Sequence, residues 1–423
     1  MTLRRSATPP DQTNDLTPLF SQMYPKLRNG IEPFLAADEN GETFVGLRDQ
    51  FELSSQQLFI SQDLFYLLEF FDGKTSVMEI RASYMKKFNK FLFENRLQEL
   101  IEMLDKSCLL DNQRAAEKLL EIQQEYRKIP NRLPVCAGSS YPEDATALAG
   151  FLDKLMQNVP HVNKGVSGAV PIKAVVAPHI DIRLGGRTFA HTYSSLLNGP
   201  PVDLFVILGI GHYGIQNLFA LTDKNFLTPD GAAITDTHLV NDILKRCHND
   251  FMAEELIHRE EHSIELQTVF LNHYFKNFKI LPVLCSFSNQ LFGDPEQVKI
   301  YNDFIDSVKA ALSVYRGTVC YIASVDFAHV GIKYGDPKRP DPVYLAHVEQ
   351  NDRQLLNALT VQDRVEFQQI FKRTNDPFHV CGYSALTALL DLMPPARGQL
   401  LDYNTAVIDN LNSTVTFSSM IFS

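Results

Sequence analysis

The chain contains 423 residues, of which 45% are hydrophobic and 21% charged, a composition typical of a globular protein with more than one domain. Acidic residues outnumber basic ones by 50 to 39, and the net charge of −11 argues against a protein that binds nucleic acid mainly by neutralising phosphates. No stretch approaches the roughly 20 apolar residues of a membrane span. The cysteines are scattered without a C-x-x-C pair, which predicts a cytoplasmic protein with reduced thiols.

The chain is predicted to divide into four segments. A polar, proline-containing start indicates a disordered tail, and Pro130 and Pro134 mark the entry into a second domain. Between them, short strand patterns around the turn signal Asp38-Glu39-Asn40-Gly41 and three helical patterns predict a small α+β unit of winged-helix type. The predicted segments are the tail 1–17, the winged-helix-like domain 18–112, a charged linker helix 113–131 and a large domain 132–423.

The large domain alternates strand and helix patterns. Its short, continuous apolar runs are typical of strands covered on both faces, and the segments between them have helical spacing. We therefore predict an α/β fold in three layers around a mostly buried mixed sheet. The predicted strands are 174–177, 204–208, 280–284 and 319–323, and the predicted helices are 145–156, 187–197, 238–247, 263–274, 300–315, 345–359 and 384–392.

Three of these strands are each followed by a histidine, namely His179, His212 and His329. Ligands of open α/β sheets bind outside the carboxyl ends of the strands, so the three side chains are predicted to meet in one cleft. One such histidine alone would be more typical of a structural residue. Imidazole is a common ligand of Fe, Cu and Zn, so the pattern favours a metal site. A phosphate-binding interpretation of the glycines before His212 is weak, because the third glycine of a dinucleotide fingerprint is missing.

Two further segments carry candidate site residues. Cys381 precedes a predicted helix, whose amides and dipole would favour a thiolate, although a small buried cysteine is the plainer interpretation; His379 nearby is predicted to lie at the surface or behind the site. The string Glu261-His262-Ser263-Ile264-Glu265 suits a helix start, where acidic residues cap and are solvated. The functional interpretation places His262 and the carboxylates at the rim of the same cleft.

Together these segments resemble the Memo family, also called AmmeMemoRadiSam system protein B. The E-H-S-I-E string, residues 261–265, is the most specific single match, and the resemblance covers residue 132 to the end of the chain. The matching strings occur in family order: A-G-S-S-Y-P at 137–142, A-P-H at 177–179, L-G-I-G-H at 208–212, E-H-S-I-E at 261–265, S-V-D-F-A-H at 324–329, C-G at 381–382 and L-D-Y at 401–403.

The resemblance implies a fold like that of the class III extradiol dioxygenases, which open catechol rings with Fe(II). It also implies one mononuclear Fe(II) or Cu site. His179, His212 and Cys381 would be its ligands, and His329 the acid–base residue with Asp326 beside it. Asp326 would stabilise a cationic imidazole in the cleft and keep the pKa of His329 near neutral.

The chain departs from the family pattern at three places, which affects the shape of the pocket more than its ligands. Ile180-Asp181 follows A-P-H where an alanine and a glycine are usual, and Tyr213 replaces a second histidine after His212. Ser140 replaces the opening tryptophan. Asp181 and Tyr213, with Glu261 and His262, are therefore predicted to line the site.

The N-terminal domain resembles PqqD-type winged helices through the string D-G-K-T-S-V at 72–77. The resemblance implies recognition of a peptide or protein partner by addition of a strand to the sheet edge. A structural cap or a dimerisation unit is an equal alternative. DNA binding is disfavoured by the acidic balance, although Lys86, Lys87 and Lys90 keep it open.

Two functions follow from the sequence. The first is a mononuclear non-haem Fe or Cu redox enzyme related to extradiol dioxygenases. The second is a binding or scaffold protein without turnover, acting with the radical-SAM and AMMECR-like partners that the family name implies in peptide or small-molecule modification. Fold alone does not decide between them.

Overall fold

A computed structural model describes residues 23–37, 41–54, 57–157, 159 and 171–423. The predicted disordered tail 1–17 and residues 38–40 of the predicted turn lie outside the described residues. The chain divides into two compact units, Met1–Ile122 and Gln123–Ser423. The domain bounds drawn from the sequence stay predictions. Among the described helices, none is both long and apolar enough to cross a membrane, and the cytoplasmic location stays a prediction.

The N-terminal unit combines a small antiparallel sheet with short helices. Leu97, Leu100, Ile101 and Leu104 form the buried face of one helix, as their spacing predicts. A third strand, β3, was not predicted. The sheet has the order β1-β2-β3. Its elements are β1 (Ile31–Ala37), β2 (Thr43–Asp49), β3 (Leu58–Ser61), α1 (Gln62–Phe65), a 3-10 turn (Tyr66–Phe70), α2 (Val77–Phe88), α3 (Glu94–Lys106) and α4 (Gln113–Lys128), which ends beyond the unit.

The second unit alternates strands and helices, as predicted. Its strands are β4 (Asn131–Arg132), β5 (Ala174–Ala177), β6 (Leu204–Ile210), β7 (Phe219–Leu221), β8 (Asn225–Thr228), β9 (Gly231–Ala233), β10 (Lys279–Cys285), β11 (Val319–Ser324), β12 (His329–Val330), β13 (Gly398–Val407) and β14 (Thr414–Phe422). Its helices are α5 (Ala145–Gln157), α6 (Ile182–Leu197), α7 (Thr237–Arg246), α8 (His262–Tyr274), α9 (Pro295–Ser313), α10 (Pro342–Thr360), α11 (Arg364–Thr374) and α12 (Tyr383–Leu392), with 3-10 turns at Glu255–Arg259, Leu291–Gly293 and Ile332–Tyr334.

A mixed sheet forms the centre of this unit. Its strands follow the order β12-β14-β5-β11-β6-β10-β7, with β13 paired to β14. The four strands β5, β11, β6 and β10 are parallel, and β7 and β12 to β14 pair antiparallel. A small separate sheet has the order β4-β8-β9. The central parallel strands are the apolar runs that the sequence predicts.

Helices cover both faces of the sheet. On one face, Val206 and Leu208 of β6 belong to a large apolar cluster with residues of α7, α9 and α12. On the other face, Phe205 of the same strand contacts Phe275 just beyond α8, with ring centroids 5.5 Å apart. Alternate residues of one strand therefore pack into two different layers, which is the reason for its continuous apolar sequence. The predicted α/β fold with a large buried mixed sheet and a small N-terminal α+β unit is confirmed.

Candidate metal centre

The carboxyl ends of three neighbouring parallel strands bring the candidate residues together. β11 lies between β5 and β6 in the sheet. His179 follows the end of β5, His212 follows the end of β6, and Asp326 follows the end of β11. Because parallel strands end at the same edge of a sheet, residues far apart in sequence become neighbours here.

Three imidazoles form a compact cluster at this edge. One ring nitrogen of each of His179, His212 and His262 lies within 4.8 Å of those of the other two. The ring centroids are separated by 5.0 Å (His179 and His212), 5.2 Å (His179 and His262) and 4.9 Å (His212 and His262). His262 is the first residue of α8. The sequence predicted it only as a residue lining the site, whereas the structure places it within the cluster.

Each imidazole of the cluster is held through its Nδ1 atom. Nδ1 of His179 donates to the carbonyl oxygen of Ser324 at 2.9 Å. Nδ1 of His212 lies 3.0 and 3.1 Å from the two carboxylate oxygens of Glu261, and Nδ1 of His262 lies 3.1 Å from one of them. An Nδ1 that donates a hydrogen bond leaves Nε2 with the lone pair, the arrangement in which proteins hold metal-binding histidines.

The buried Glu261 carboxylate holds two histidines of the cluster in place. It accepts the backbone N–H groups of His212 at 3.0 Å, His262 at 2.8 Å and Ser263 at 3.1 Å, and it caps the N-terminus of α8. Burial would raise the pKa of this carboxyl, but the facing His212 and His262 outweigh burial and hold its pKa well below the ordinary value. Glu261 is therefore a fixed negative charge under two imidazoles.

The cluster is closed on one side and open on the other. The His179 side chain is only 2% exposed, whereas those of His212 and His262 are 29% and 35% exposed. Burial, with the neighbouring His212 and His262, lowers the pKa of His179 well below its ordinary value. The imidazole is therefore neutral at physiological pH, which is the form that binds a metal ion.

Cys381 lies beside His179. Its Sγ atom is 3.4 Å from Nε2 of His179 and 3.4 Å from the carbonyl oxygen of Asp326. Burial first, and then the charge of Asp326, raises the pKa of this thiol well above its ordinary value. Desolvation therefore opposes the thiolate that the start of α12 was expected to favour. Its assignment as a ligand stays a prediction.

Asp326 also contacts His179. One carboxylate oxygen accepts the backbone N–H of His179 at 3.0 Å, and the other lies 3.7 Å from its Nε2 atom. Burial raises the pKa of Asp326 to about 7, although the N–H groups of His179 and Ile180 act in the opposite direction. This carboxyl can hold or release a proton near neutral pH beside the histidine cluster.

His329 is held by the backbone of its own loop. Its Nδ1 atom donates to the carbonyl oxygen of Phe327 at 3.0 Å, and its ring lies edge-on to Tyr334 with centroids 5.0 Å apart. Burial lowers the pKa of His329 to about 4, so the expected near-neutral pKa is wrong: desolvation of the ring dominates. His379 is exposed, and its Nδ1 lies 3.3 Å from the His329 carbonyl oxygen.

Two predicted site-lining residues lie on different segments: Asp181 directly before α6, and Tyr213 in the loop after β6. Asp181 caps α6, and its carboxylate accepts the backbone N–H of Arg183 at 2.8 Å as well as the guanidinium of the same residue. Tyr213 directly follows His212 and is half-buried. That Asp181 and Tyr213 line the site stays a prediction.

Residues of α8 other than His262 connect the strand ends, a role that the sequence did not predict. Gln267 donates to the carbonyl oxygen of Pro178 after β5 and to the hydroxyl of Ser324 at the end of β11, each at 2.7 Å. Ser263 exchanges hydrogen bonds with the backbone of Ile210 at the end of β6. The E-H-S-I-E string was the available signal, but its hydrogen-bond partners are distant in sequence.

Gly209, in β6 shortly before His212, has a packing role. A Cβ atom at Gly209 would lie 2.6 Å from Oγ of Ser263 and 2.8 Å from the Ile264 side chain, so α8 can approach β6 only at a glycine. This close approach brings Glu261 and His262 to His212. It accounts for the glycine without a phosphate ligand.

These features define an α/β protein with a candidate metal centre at the carboxyl edge of its central sheet. Residues 132–421 match the family model described as Memo-like protein. The chain therefore belongs to the Memo family.

Curated relatives differ in how much of the chain they cover. A MEMO1 family protein of Aquifex aeolicus is 28% identical over 403 residues, which is 95% of this chain and 100% of that protein. A MEMO1 family protein of Thermoplasma acidophilum is 28% identical over 296 residues, 69% of this chain and 98% of that protein. One from Thermus thermophilus is 24% identical over 333 residues. The similarity to the Aquifex protein therefore extends into the N-terminal unit.

Proposed function

We propose that this protein binds one redox-active metal ion, Fe(II) or Cu, at the histidine cluster and acts as a mononuclear non-haem metal enzyme. The observation that supports the proposal best is the set of three imidazoles whose Nδ1 atoms are all engaged and whose donor nitrogens lie within 4.8 Å. His179 and His212 belong to both candidate ligand sets. The third ligand is His262 in the set that the geometry groups, and Cys381 in the predicted set.

The donors present suit such an ion. Neutral imidazoles favour Fe, Cu and Zn, and a thiol beside His179 adds a softer donor. The fixed charge of Glu261 offsets part of the charge of a cation. A bound metal ion would supply Lewis acidity and one-electron chemistry at this edge of the sheet.

The remaining residues have roles in handling protons. His329 is neutral at pH 7, with Nδ1–H on the Phe327 carbonyl, so its Nε2 atom carries a lone pair that would act as a weak base toward a bound substrate. Asp326, with a pKa of about 7, exchanges a proton beside His179. A catechol-like substrate remains an analogy to the extradiol dioxygenases.

Metal analysis of protein purified without oxygen tests the proposal. We expect close to one Fe or Cu per chain, and loss of most of it in His179→Gln and His212→Gln. Comparison of His262→Gln with Cys381→Ser identifies the third ligand, because the variant that removes a ligand loses metal. Cys285→Ser is the matched control, since this cysteine is buried in the core cluster. Undiminished metal in all the site variants would contradict the proposal.

The alternative is a protein that binds a metal or a modified residue without turnover. Oxygen uptake by the iron-loaded protein with a panel of catechols separates the two. Uptake that His329→Gln abolishes supports an enzyme; metal binding with no uptake supports the binding protein. The radical-SAM and AMMECR-like partners stay predictions.

We also propose that the N-terminal unit binds an extended peptide at the edge of β3. Among the described residues, β3 pairs with β2 on one side only. A cavity of about 390 Å³ is lined by Leu58 of this strand and by residues of α3, namely Met103, Lys106 and the carboxylates of Glu99 and Glu102. A peptide strand would pair with this edge, and a basic side chain would face Glu99, because Glu102 already lies 3.8 Å from the Lys106 ammonium.

Selection by mRNA display tests this proposal: a random peptide library is passed over the immobilised full chain, and the peptides that bind are sequenced. We expect extended peptides that carry an apolar and a basic residue. The double variant Glu99→Lys, Glu102→Lys should lose them, while Glu121→Lys on the exposed side of α4 should not. Peptides that bind both variants equally would place the site elsewhere.

A further inference from the structure

Arg132 is a buried cation that contacts the start of α8 from behind the histidine cluster. Its side chain is 0% exposed. Nε donates to the carbonyl oxygen of His258 at 2.9 Å, and one terminal nitrogen donates to the carbonyl oxygen of Glu261 at 2.8 Å. The other terminal nitrogen forms an ion pair with the carboxylate of Glu265. The guanidinium therefore bonds to three points at or just before the first turn of α8.

Glu265 extends this contact to the segment that enters the domain. Its carboxylate accepts the backbone N–H groups of Val135 at 3.0 Å and Cys136 at 2.8 Å, and the hydroxyl of Tyr141. The ion pair therefore contacts α8 and the turn before it close to Glu261, within about one helical turn on either side. A buried, fully bonded ion pair is rigid, because breaking any one bond leaves a charge uncompensated.

We propose that Arg132 is a positioning residue of the metal centre, which fixes Glu261 and through it the imidazoles of His212 and His262. The Glu261 residue is held on two sides: Arg132 bonds its carbonyl oxygen, and the two histidines bond its carboxylate. A rotation of this peptide unit would move the carboxylate away from the imidazoles. This inference rests on the proposed metal-binding function.

The chemistry favours arginine at this position. The planar guanidinium directs its donors in fixed directions, so one side chain reaches the Glu265 carboxylate and three carbonyl oxygens together, those of His258, Glu261 and Leu133. A lysine would retain the charge and the ion pair, but its single ammonium group cannot reproduce these directions. Arg132→Lys therefore separates the positioning of Glu261 from the presence of a buried cation.

Titration with Co²⁺ under anaerobic conditions, followed by calorimetry and by the d–d absorption of the bound ion, tests the inference. Arg132→Lys should bind Co²⁺ at least roughly tenfold more weakly, with a shifted absorption band, because partners behind metal ligands typically contribute 10- to 100-fold in affinity. Tyr141→Phe removes one donor to Glu265 and should weaken binding about twofold to fivefold. Thermal unfolding is measured on every variant.

Arg364→Lys is the matched control. Arg364 also forms a partly buried ion pair, with Asp391, and its guanidinium lies over Phe292. This variant should lower the melting temperature and leave the Co²⁺ affinity and spectrum unchanged. If Arg132→Lys does not fold, Tyr141→Phe decides the question.

The outcomes separate the two proposals. If the unchanged chain binds Co²⁺ and both Arg132→Lys and Tyr141→Phe bind it equally well with the same spectrum, Arg132 only stabilises the fold and the inference is overturned. If the unchanged chain binds no Co²⁺, the proposed metal function fails and this inference fails with it. The inference is supported if Arg132→Lys and Tyr141→Phe bind Co²⁺ more weakly with a shifted spectrum, while Arg364→Lys binds it as the unchanged chain does.

Discussion

Glu261 bonds to His212 twice, through the backbone N–H and through Nδ1 of the imidazole. The contact joins the loop after β6 to the first turn of α8, two segments about 50 residues apart in sequence. The same carboxylate holds His262. One buried anion thus sets the orientation of two candidate ligands, and the third, His179, is oriented by a backbone carbonyl.

Replacement of this anion should weaken metal binding more than it weakens the fold. In Glu261→Gln the amide has one accepting oxygen instead of two, and the charge that favours a bound cation is lost. We expect metal affinity to fall by roughly 10- to 100-fold. Calorimetric titration measures the change, and Glu260→Gln, which removes a carboxylate that faces Arg259, serves as control. Equal affinity in both variants would contradict the bridging role.

The apolar strand runs predicted the architecture of the second unit well. The four buried runs are strands, because a strand covered on both faces has no polar alternation. The long hairpin of β13 and β14 was not predicted as paired strands. β13 has few fully buried residues, so its sequence lacks that signal. Its place beside β14 depends on tertiary pairing, which the local pattern does not contain.

Strand-end position predicted His179 and His212, but it could not rank the remaining donors. His262 lies at a helix start rather than at a strand end, and only the close packing of α8 on Gly209 brings it into the cluster. The pKa expected for His329 was wrong because burial of that ring was not visible in the sequence. Motif order identifies the residues of a site, whereas distances and desolvation depend on the folded chain.

His329→Gln should keep the metal and the fold but reduce turnover. The imidazole accepts a proton through Nε2, and glutamine offers no comparable base. Because a pKa of about 4 makes this imidazole a weak base, we expect a loss in turnover near the lower end of the range of roughly 10²- to 10⁴-fold, once a substrate is known. His347→Gln, an exposed histidine on α10, is the matched control. Loss of metal in His329→Gln would instead identify this residue as a ligand.

The second unit should fold and bind metal without the N-terminal unit. A truncated chain that begins at Gln123 follows the division of the structure. It keeps Tyr126, which is buried with the Lys224 ammonium 4.6 Å from its ring centroid. A chain beginning near Ala115 would also expose Leu119 and Ile122, which pack against Leu53 and Cys108.

We expect the chain from Gln123 to remain monodisperse in size-exclusion chromatography and to contain as much metal per chain as the full protein. The chain from Ala115 is the comparison, and it should aggregate more because of its exposed apolar helix face. Aggregation of both truncated chains would show that the N-terminal unit covers apolar surface of the second unit.

Asp352 should make the stability of the fold depend on pH. This carboxyl on α10 is fully buried, and one of its oxygens accepts the hydroxyls of Tyr403 at 2.8 Å and Thr416 at 2.6 Å. Within the described residues its other oxygen has no hydrogen-bond partner. Burial raises the pKa of Asp352 to about 7, although both hydroxyls act in the opposite direction.

The sign follows from the two protonation states. An unfolded aspartate releases its proton near pH 4, whereas the folded chain retains it up to about pH 7, so the free energy of unfolding falls as pH rises between these values. The slope from this group is at most about 1.4 kcal/mol per pH unit.

Asp352→Asn stays neutral, and its amide oxygen can accept both hydroxyls. Urea unfolding at pH 5, 6, 7 and 8 should therefore show a shallower decline in the variant and greater stability than the unchanged chain at pH 8. The control is Asp363→Asn, a change at an exposed helix cap, which should lower stability without changing the slope. Parallel pH profiles for Asp352→Asn and the unchanged chain would show that Asp352 is ionised in the fold.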